Sequence, residues 1–78
     1  MEMRYVLLTE IVGSEDTSRV TYGIALVSVD DDVMSVLESV SDLSADKDRV
    51  EKFVAVCNRL ALDPVHLREA AEDFAAEL

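Results

Sequence analysis

Cysteines and long apolar runs are both scarce in this sequence, and each scarcity excludes a class of protein. The single cysteine, Cys57, cannot form an internal disulfide framework. No stretch approaches the roughly 20 consecutive apolar residues that a transmembrane helix needs. The apolar run that follows the first four residues is too short for a secretory signal. We therefore expect a cytoplasmic protein.

Basic residues are also few. Seven Lys and Arg residues stand against 17 Asp and Glu residues, which gives a net charge of −10. Such a field repels phosphate backbones, so direct nucleic-acid binding is not expected, whereas a basic protein partner would be attracted. Residues 1–78 are too few for two hydrophobic cores and are therefore expected to form one domain. Half of them are hydrophobic, which is not the composition of a disordered segment.

The most informative stretch is residues 46–78, which reads as two helices connected at Leu62, Asp63 and Pro64. Asp63 suits an N-cap, and Pro64 suits the first helical position, where no N–H group is needed. Leu62 and Leu67 occupy the positions of a hydrophobic staple. The sequence therefore predicts that a helix begins at Pro64.

Two apolar stripes with helical spacing flank this connection, which predicts a helical hairpin with a shared core. The stripe before it consists of Val50, Phe53, Val54, Cys57, Leu60 and Ala61. The stripe after it consists of Leu67, Ala70, Ala71, Phe74, Ala75 and Leu78.

Residues 5–12 and 19–29 are rich in β-branched and aromatic side chains, and the polar run 13–18 between them predicts a hairpin loop. The second segment alternates between large and small side chains, which predicts a strand with one large-residue face. Gly23 on the small face indicates a β-bulge or a close approach by another backbone. The large face is formed by Val20, Tyr22, Ile24 and Leu26, and the small face by Thr21, Gly23, Ala25 and Val27.

Residues 30–43 complete the fold prediction. Asp30, Asp31 and Asp32 predict a solvated turn, because they lack the ligand spacing and the glycine of a calcium loop. The density of Val and Ser in residues 33–43 favours a third strand over a helix. Ser44 or Asp46 is expected to cap the helix that follows. The predicted class is α+β, in the order β-β-β-α-α: a three-stranded antiparallel sheet with a C-terminal helical hairpin packed on the large-residue face.

Several short segments together resemble a known family. They are YGI at 22–24, DLSAD at 42–46, CN at 57–58, LDPVHL at 62–67 and EDF at 72–74. With them the sequence resembles a family of small acidic proteins of Gram-positive anaerobic bacteria that is classed only as a domain of unknown function. The resemblance implies a stand-alone bacterial cytoplasmic protein, and it implies no catalytic residue, cofactor or partner.

Cys57 and His66 are the only residues of their kinds, and we interpret both as structural. Cys57 lies on an apolar stripe, where a small buried hydrophobe is its ordinary role, whereas a reactive thiolate needs exposure and a nearby positive charge. A nucleophilic dyad would need the two side chains to meet beside an oxyanion hole, which the sequence does not indicate. We expect no enzyme activity and no cofactor.

The last helix carries an acidic ladder with His66 at its start. Glu69, Asp73 and Glu77 are spaced four residues apart, which is the spacing of a solvated face or of a docking surface for a basic partner. His66, Glu69 and Asp73 have metal-ligand spacing on one helix face, yet such sets arise often by accident, and we predict no metal site. Asn58 is expected to satisfy backbone groups near the helix connection, and it completes this candidate interaction surface.

The first strand is apolar on both faces, but two helices can cover only one of them. The leading hypothesis is therefore a small non-enzymatic interaction protein, an adaptor or regulator, that forms a homodimer through the sheet. One alternative is an acidic decoy that occupies a basic nucleic-acid-binding surface of another protein. A further alternative is a small metal-binding protein or enzyme. In the first strand, one apolar face is formed by Tyr5, Leu7 and Ile11, and the other by Val6, Leu8 and Val12.

Overall fold

The computed structural model describes residues 2–77, so Leu78 of the second predicted stripe lies outside the described residues. The strands form one antiparallel sheet in the order β1-β2-β3, and two helices follow them. This confirms the predicted β-β-β-α-α arrangement, including the third strand. The elements are β1 (Glu2–Val12), β2 (Arg19–Asp30), β3 (Val33–Ser44), α1 (Lys47–Arg59), a 3-10 turn (Pro64–His66) and α2 (Leu67–Ala76).

A two-residue turn connects β2 to β3. Asp30 pairs with Val33, and the two residues between them have positive φ angles of 49° at Asp31 and 67° at Asp32. Two consecutive positive φ angles are characteristic of a type I′ turn, whose twist matches that of the flanking strands, and Asp tolerates this conformation well. The predicted solvated turn is confirmed.

A bulge in β3 lies opposite Gly23. Tyr22 pairs with Ser44 and Ile24 with Val40, so residues 41–43 of β3 face the single residue Gly23 of β2. The carbonyl oxygen of Val40 comes so close to Gly23 that a Cβ atom there would collide with it. Both predicted explanations of Gly23 therefore apply, although the extra residues belong to β3 rather than to β2.

A buried hydroxyl holds this bulge in place. Thr21, which is fully buried, donates a hydrogen bond from Oγ1 to Oδ1 of Asp42 at 2.5 Å. Asp42 has a φ of 53°, and its other carboxylate oxygen lies 3.5 Å from the guanidinium of Arg19. The hydrogen bond from Thr21, together with the charge of Arg19, lowers the pKa of Asp42 despite some desolvation.

The helices cover the large-residue face of the sheet, as predicted. Half-buried Phe53 and Phe74 stack across α1 and α2, with ring centroids 4.8 Å apart. The buried core between sheet and helices consists of Tyr5, Ile24, Leu26, Val50, Val54, Cys57 and Leu67.

Both helix boundaries at the connection differ in detail from the prediction. α1 ends at Arg59, because Leu62 donates its N–H to the carbonyl of Cys57 and Ala61 donates to Asn58, the two bonds of a Schellman motif. Leu60 and Ala61 were predicted in the apolar stripe but lie beyond α1 and are exposed. Pro64 opens a 3-10 turn, and the α-helix itself begins three residues later.

The predicted caps are present at both helix starts. Asp46 accepts a hydrogen bond from the N–H of Arg49 at 3.3 Å, and Ser44 Oγ in turn accepts from the N–H of Asp46 at 3.0 Å. Asp63 accepts from the N–H of Val65 at 3.1 Å. Each carboxylate satisfies a donor that the first helical turn leaves free.

The second face of the sheet is better shielded than the sequence suggests. Ala25 and Val27 of β2 are only 2% and 1% exposed, although neither belongs to the helix-facing core. Parts of β1 and β3 approach each other across β2, as in a strongly curled sheet. The second-face side chains of β1 that were expected to need an external cover are half-buried: Val6, Leu8 and Val12.

Candidate interaction surfaces

Asn58 covers the outer edge of β1 at one residue, Tyr5. Its Oδ1 accepts the backbone N–H of Tyr5, and its Nδ2 donates to the backbone carbonyl of Tyr5, both at 2.8 Å. One side-chain amide thereby supplies the donor and the acceptor that a neighbouring antiparallel strand would supply. The predicted backbone role of Asn58 is present, but its partner is a strand distant in sequence.

The Tyr5 side chain ties the same strand to the helix connection, because its hydroxyl donates to the carbonyl of Leu62 at 2.8 Å. Burial raises the pKa of Tyr5, and nearby Cys57, Asp63 and Glu38 raise it further when they are negatively charged. The phenol therefore stays protonated and acts as a donor at neutral pH.

A cavity of about 360 Å³ lies between the start of β1 and the helix connection, with Tyr5, Asn58 and Asp63 in its wall. Cys57 also lines it, but this residue is only 3% exposed, and burial raises the pKa of its thiol. Both properties oppose thiolate chemistry. His66 is not among the residues that line this cavity, so Cys57 and His66 do not meet there.

The acidic ladder of α2 divides between two surfaces. His66, Glu69 and Asp73 share a shallow hollow of about 250 Å³, in which His66 Nδ1 lies 4.0 Å from a carboxylate oxygen of Glu69. Glu77 instead borders a groove of about 450 Å³ beside the ring of Phe74. Within residues 2–77, no three His, Cys, Asp or Glu side chains are arranged to hold a metal ion.

The largest apolar exposure on one element occurs at the start of β3. Four side chains of this edge strand, here called the β3 apolar segment, are half-exposed or more: Val33 at 64%, Met34 at 62%, Val36 at 64% and Leu37 at 50%. Met34 pairs with Val29 and Val36 with Val27, which places both on the face that the helices leave open. Residues 33–37 contain no charged side chain.

A second bulge in β3 lies at Leu37, next to Val36, so two neighbouring residues of this segment are large and apolar. Glu38 pairs with Leu26, but the next β2 residue, Val27, pairs with Val36, so Leu37 is the extra residue. Sequence reasoning predicted the strand and missed this surface. The signal in the sequence for this exposed surface was a run of large apolar residues at both odd and even positions of an edge strand.

A family model described as a family of unknown function, DUF6514, matches residues 1–77. The chain belongs to this family. The match confirms the predicted membership of a family of unknown function, while neither the curated proteins nor the solved structures contain a match to the chain. The function of this DUF6514 member is therefore inferred from its surfaces.

The helices of this DUF6514 protein are short. Across residues 2–77, none has the combined length and apolar character that crossing a membrane requires. Surfaces that a partner could contact in that range include the β3 apolar segment, the groove beside Phe74, the hollow at His66 and the cavity at Tyr5.

Proposed function

We propose that this protein is a non-enzymatic protein–protein interaction module, an adaptor or regulator, that acts as a homodimer through its sheet. The observation that carries the proposal is the β3 apolar segment, in which four large side chains of one edge strand are exposed and two of them, Met34 and Val36, share the face that the helices leave open. Burying apolar surface stabilises an association by roughly 25 cal/mol per Å², and contiguous exposed apolar patches mark interaction sites.

The non-enzymatic part of the proposal rests on the candidate catalytic groups. Cys57 is buried with a raised pKa, which disfavours the thiolate that a nucleophile needs. The side chain of His66 is 61% exposed and has Glu69 beside it, on a different surface from the Cys57 cavity. An activity lost in both Cys57→Ser and His66→Gln would contradict this part.

Sedimentation equilibrium of the full chain tests the homodimer. Two copies of charge −10 repel each other, so an apolar dimer should persist as salt screens the repulsion, and should tighten rather than weaken. Val36→Glu should shift the chain to monomer, because it places two carboxylates in the interface. Val65→Glu is the matched control, since Val65 is 77% exposed in the 3-10 turn, away from the sheet. A wild-type monomer at every concentration would overturn the homodimer.

The acidic face of α2 supports a second candidate, the acidic decoy for a basic surface of another protein. Glu69 and Asp73 line one exposed hollow, and no lysine or arginine lines it with them. A decoy complex with a basic domain should weaken steeply as salt rises, in contrast to the homodimer. Charge reversal at Glu69 and Asp73 should abolish it, and unchanged affinity would exclude the decoy.

A further inference from the structure

We propose that the groove beside Phe74 binds a small organic anion that combines an apolar body with a single negative charge. In this assignment Arg49 and Lys52 hold the anionic group, and Phe53, Val56 and Phe74 contact the apolar body. No residue of β3 lines the groove, so the site is separate from the surface of the proposed homodimer and goes beyond that function.

Aromatic and aliphatic side chains supply the apolar part of the groove. The rings of Phe53 and Phe74 stack with an angle of 18° between their planes, and both side chains are only half-buried although they also pack against the core. Val56 beside them is 37% exposed. Small-molecule sites are mostly apolar and aromatic and measure about 300–1,000 Å³, a range that includes the 450 Å³ of this groove.

Helical spacing places two cations beside this apolar surface. Arg49, Lys52 and Phe53 of α1, together with Val56, follow the i, i+3, i+4, i+7 pattern, so they form one stripe along the helix. Side chains three residues apart are neighbours on a helix surface. Two positive charges and an apolar surface therefore adjoin each other, and a ligand with an anionic group on an apolar body complements both.

The two cations lack a counterion nearby. In residues 2–77 no carboxylate oxygen lies within 4.0 Å of Arg49 or Lys52, whereas Lys47 on the same helix lies 3.6 Å from Glu51. Glu77 lines the groove from the α2 side but does not come within that distance of either cation. Carboxylates outnumber basic residues by 17 to seven in this chain, yet none neutralises this pair directly.

The charge of the whole chain limits the size and charge of the ligand. α1 is the only strand or α-helix in residues 2–77 with a positive net charge, since it has four basic side chains and two acidic ones. The remaining field of a chain of charge −10 repels a partner in proportion to the partner's negative charge. An acidic protein segment or a polyphosphate is therefore disfavoured. A monoanion experiences little of this repulsion, and at the groove two cations outnumber the single carboxylate of Glu77.

Fluorescence titration of the full chain with anilinonaphthalene sulfonate, an aromatic monoanion, tests the site. Arg49→Gln and Lys52→Gln should each weaken binding by about 1.5- to 5-fold, the range for one exposed charge pair. Glu77→Gln removes the opposing charge and should strengthen binding. Lys47→Gln is the matched control, because it removes the same charge from α1 outside the groove and should leave the affinity unchanged. Equal weakening in all three basic variants would overturn the site, since only the net charge would then matter.

Phenylnaphthylamine, the same ring system without the sulfonate, separates charge recognition from apolar contact. Lys52→Gln should leave its affinity unchanged. Val56→Thr should weaken both compounds, whereas Val65→Thr, in the 3-10 turn outside the groove, should weaken neither. An equal loss of both compounds in Lys52→Gln would overturn the recognition of the anionic group.

Amide chemical shifts locate the bound sulfonate and verify that each variant is folded. Changes on binding should be concentrated in residues 49–56 and 74–77. Changes confined to the β3 apolar segment, or no binding at millimolar concentration, would overturn the site while leaving the homodimer in place. A monomeric chain that binds the sulfonate in the groove would overturn the homodimer and support the site.

Discussion

The side-chain amide of Asn58 makes two hydrogen bonds of 2.8 Å to the backbone of Tyr5, 53 residues earlier in the chain. At this one residue, a helix side chain thus takes the place of a neighbouring strand at the edge of β1. The contact also couples the last turn of α1 to the first strand.

Asn58→Ala should destabilise the protein, because it leaves the N–H and C=O of Tyr5 without their partners. The loss should be about 1–3 kcal/mol in the free energy of unfolding, measured by urea denaturation at fixed protein concentration. Arg59→Ala, at the neighbouring exposed position, should change it by less than about 0.5 kcal/mol. Equal effects of the two substitutions would contradict the role assigned to the Asn58 amide.

Stability should decline in alkali through the Tyr5 phenol. Its pKa is raised in the folded state, so the folded protein holds this proton more tightly than the unfolded chain does. The resulting stabilisation is complete below the unfolded-state pKa of about 10 and is lost as pH rises through the folded-state pKa. Urea midpoints measured from about pH 8 to pH 11.5 should show this decline.

Tyr5→Phe provides the control for that titration. The Tyr5→Phe substitution should lower the free energy of unfolding by about 0.5–1.5 kcal/mol at neutral pH, because the carbonyl of Leu62 loses its hydrogen-bond donor. It should also flatten the alkaline decline, leaving the part that comes from Cys57, whose pKa is raised as well. An unchanged pH profile in Tyr5→Phe would show that Tyr5 is not the titrating group.

Gly23→Ala should destabilise the sheet by about 1–3 kcal/mol, because the new methyl group would collide with the carbonyl oxygen of Val40 in the bulge of β3. Ser41→Ala, an exposed change in the same bulge, should stay within about 0.5 kcal/mol of wild type. Thermal or urea unfolding distinguishes the two. A wild-type stability for Gly23→Ala would mean that the two backbones are farther apart than described.

Replacing alanine by glycine should stabilise the protein at Ala61 and destabilise it at Ala55. Ala61 has a φ of 49° at the C-terminal end of the Schellman motif, a conformation that costs a residue with a Cβ atom about 1–2 kcal/mol. Ala61→Gly should therefore stabilise the protein by about 0.5–1 kcal/mol after the entropic cost of glycine. Ala55→Gly, in the exposed interior of α1, should destabilise it by about 1 kcal/mol. Changes of the same sign in both variants would contradict the left-handed geometry at Ala61.

The elements and their order follow from local patterns. Asp63 and Pro64 define a helix start through contacts within one turn, and alternation along β2 identifies the face that receives the helices. The density of Val and Ser was sufficient to identify β3 as a strand. These signals are readable because each depends on neighbours only a few residues away.

The contacts that shape the surfaces depend on residues far apart in the chain. Thr21 meets Asp42, and Asn58 meets Tyr5, only because the sheet and α1 bring them together. No local pattern encodes such a pairing. The acidic ladder shows the same limit: Glu69 and Asp73 lie on α2, but Glu77 follows the end of this helix and borders the groove lined by Phe53 and Phe74, which is a different surface.

The hydrogen bonds of Tyr5 to Asn58 and Leu62 have a consequence for synthesis on the ribosome. Translation proceeds from the N-terminus, so the three strands leave the ribosomal tunnel before Asn58, the helix residue that covers the edge of β1 at Tyr5. Until Asn58 emerges, the backbone N–H and C=O of Tyr5 are open to pairing with a strand of another molecule. The emergence of α1 therefore removes one site of intermolecular strand pairing from this edge.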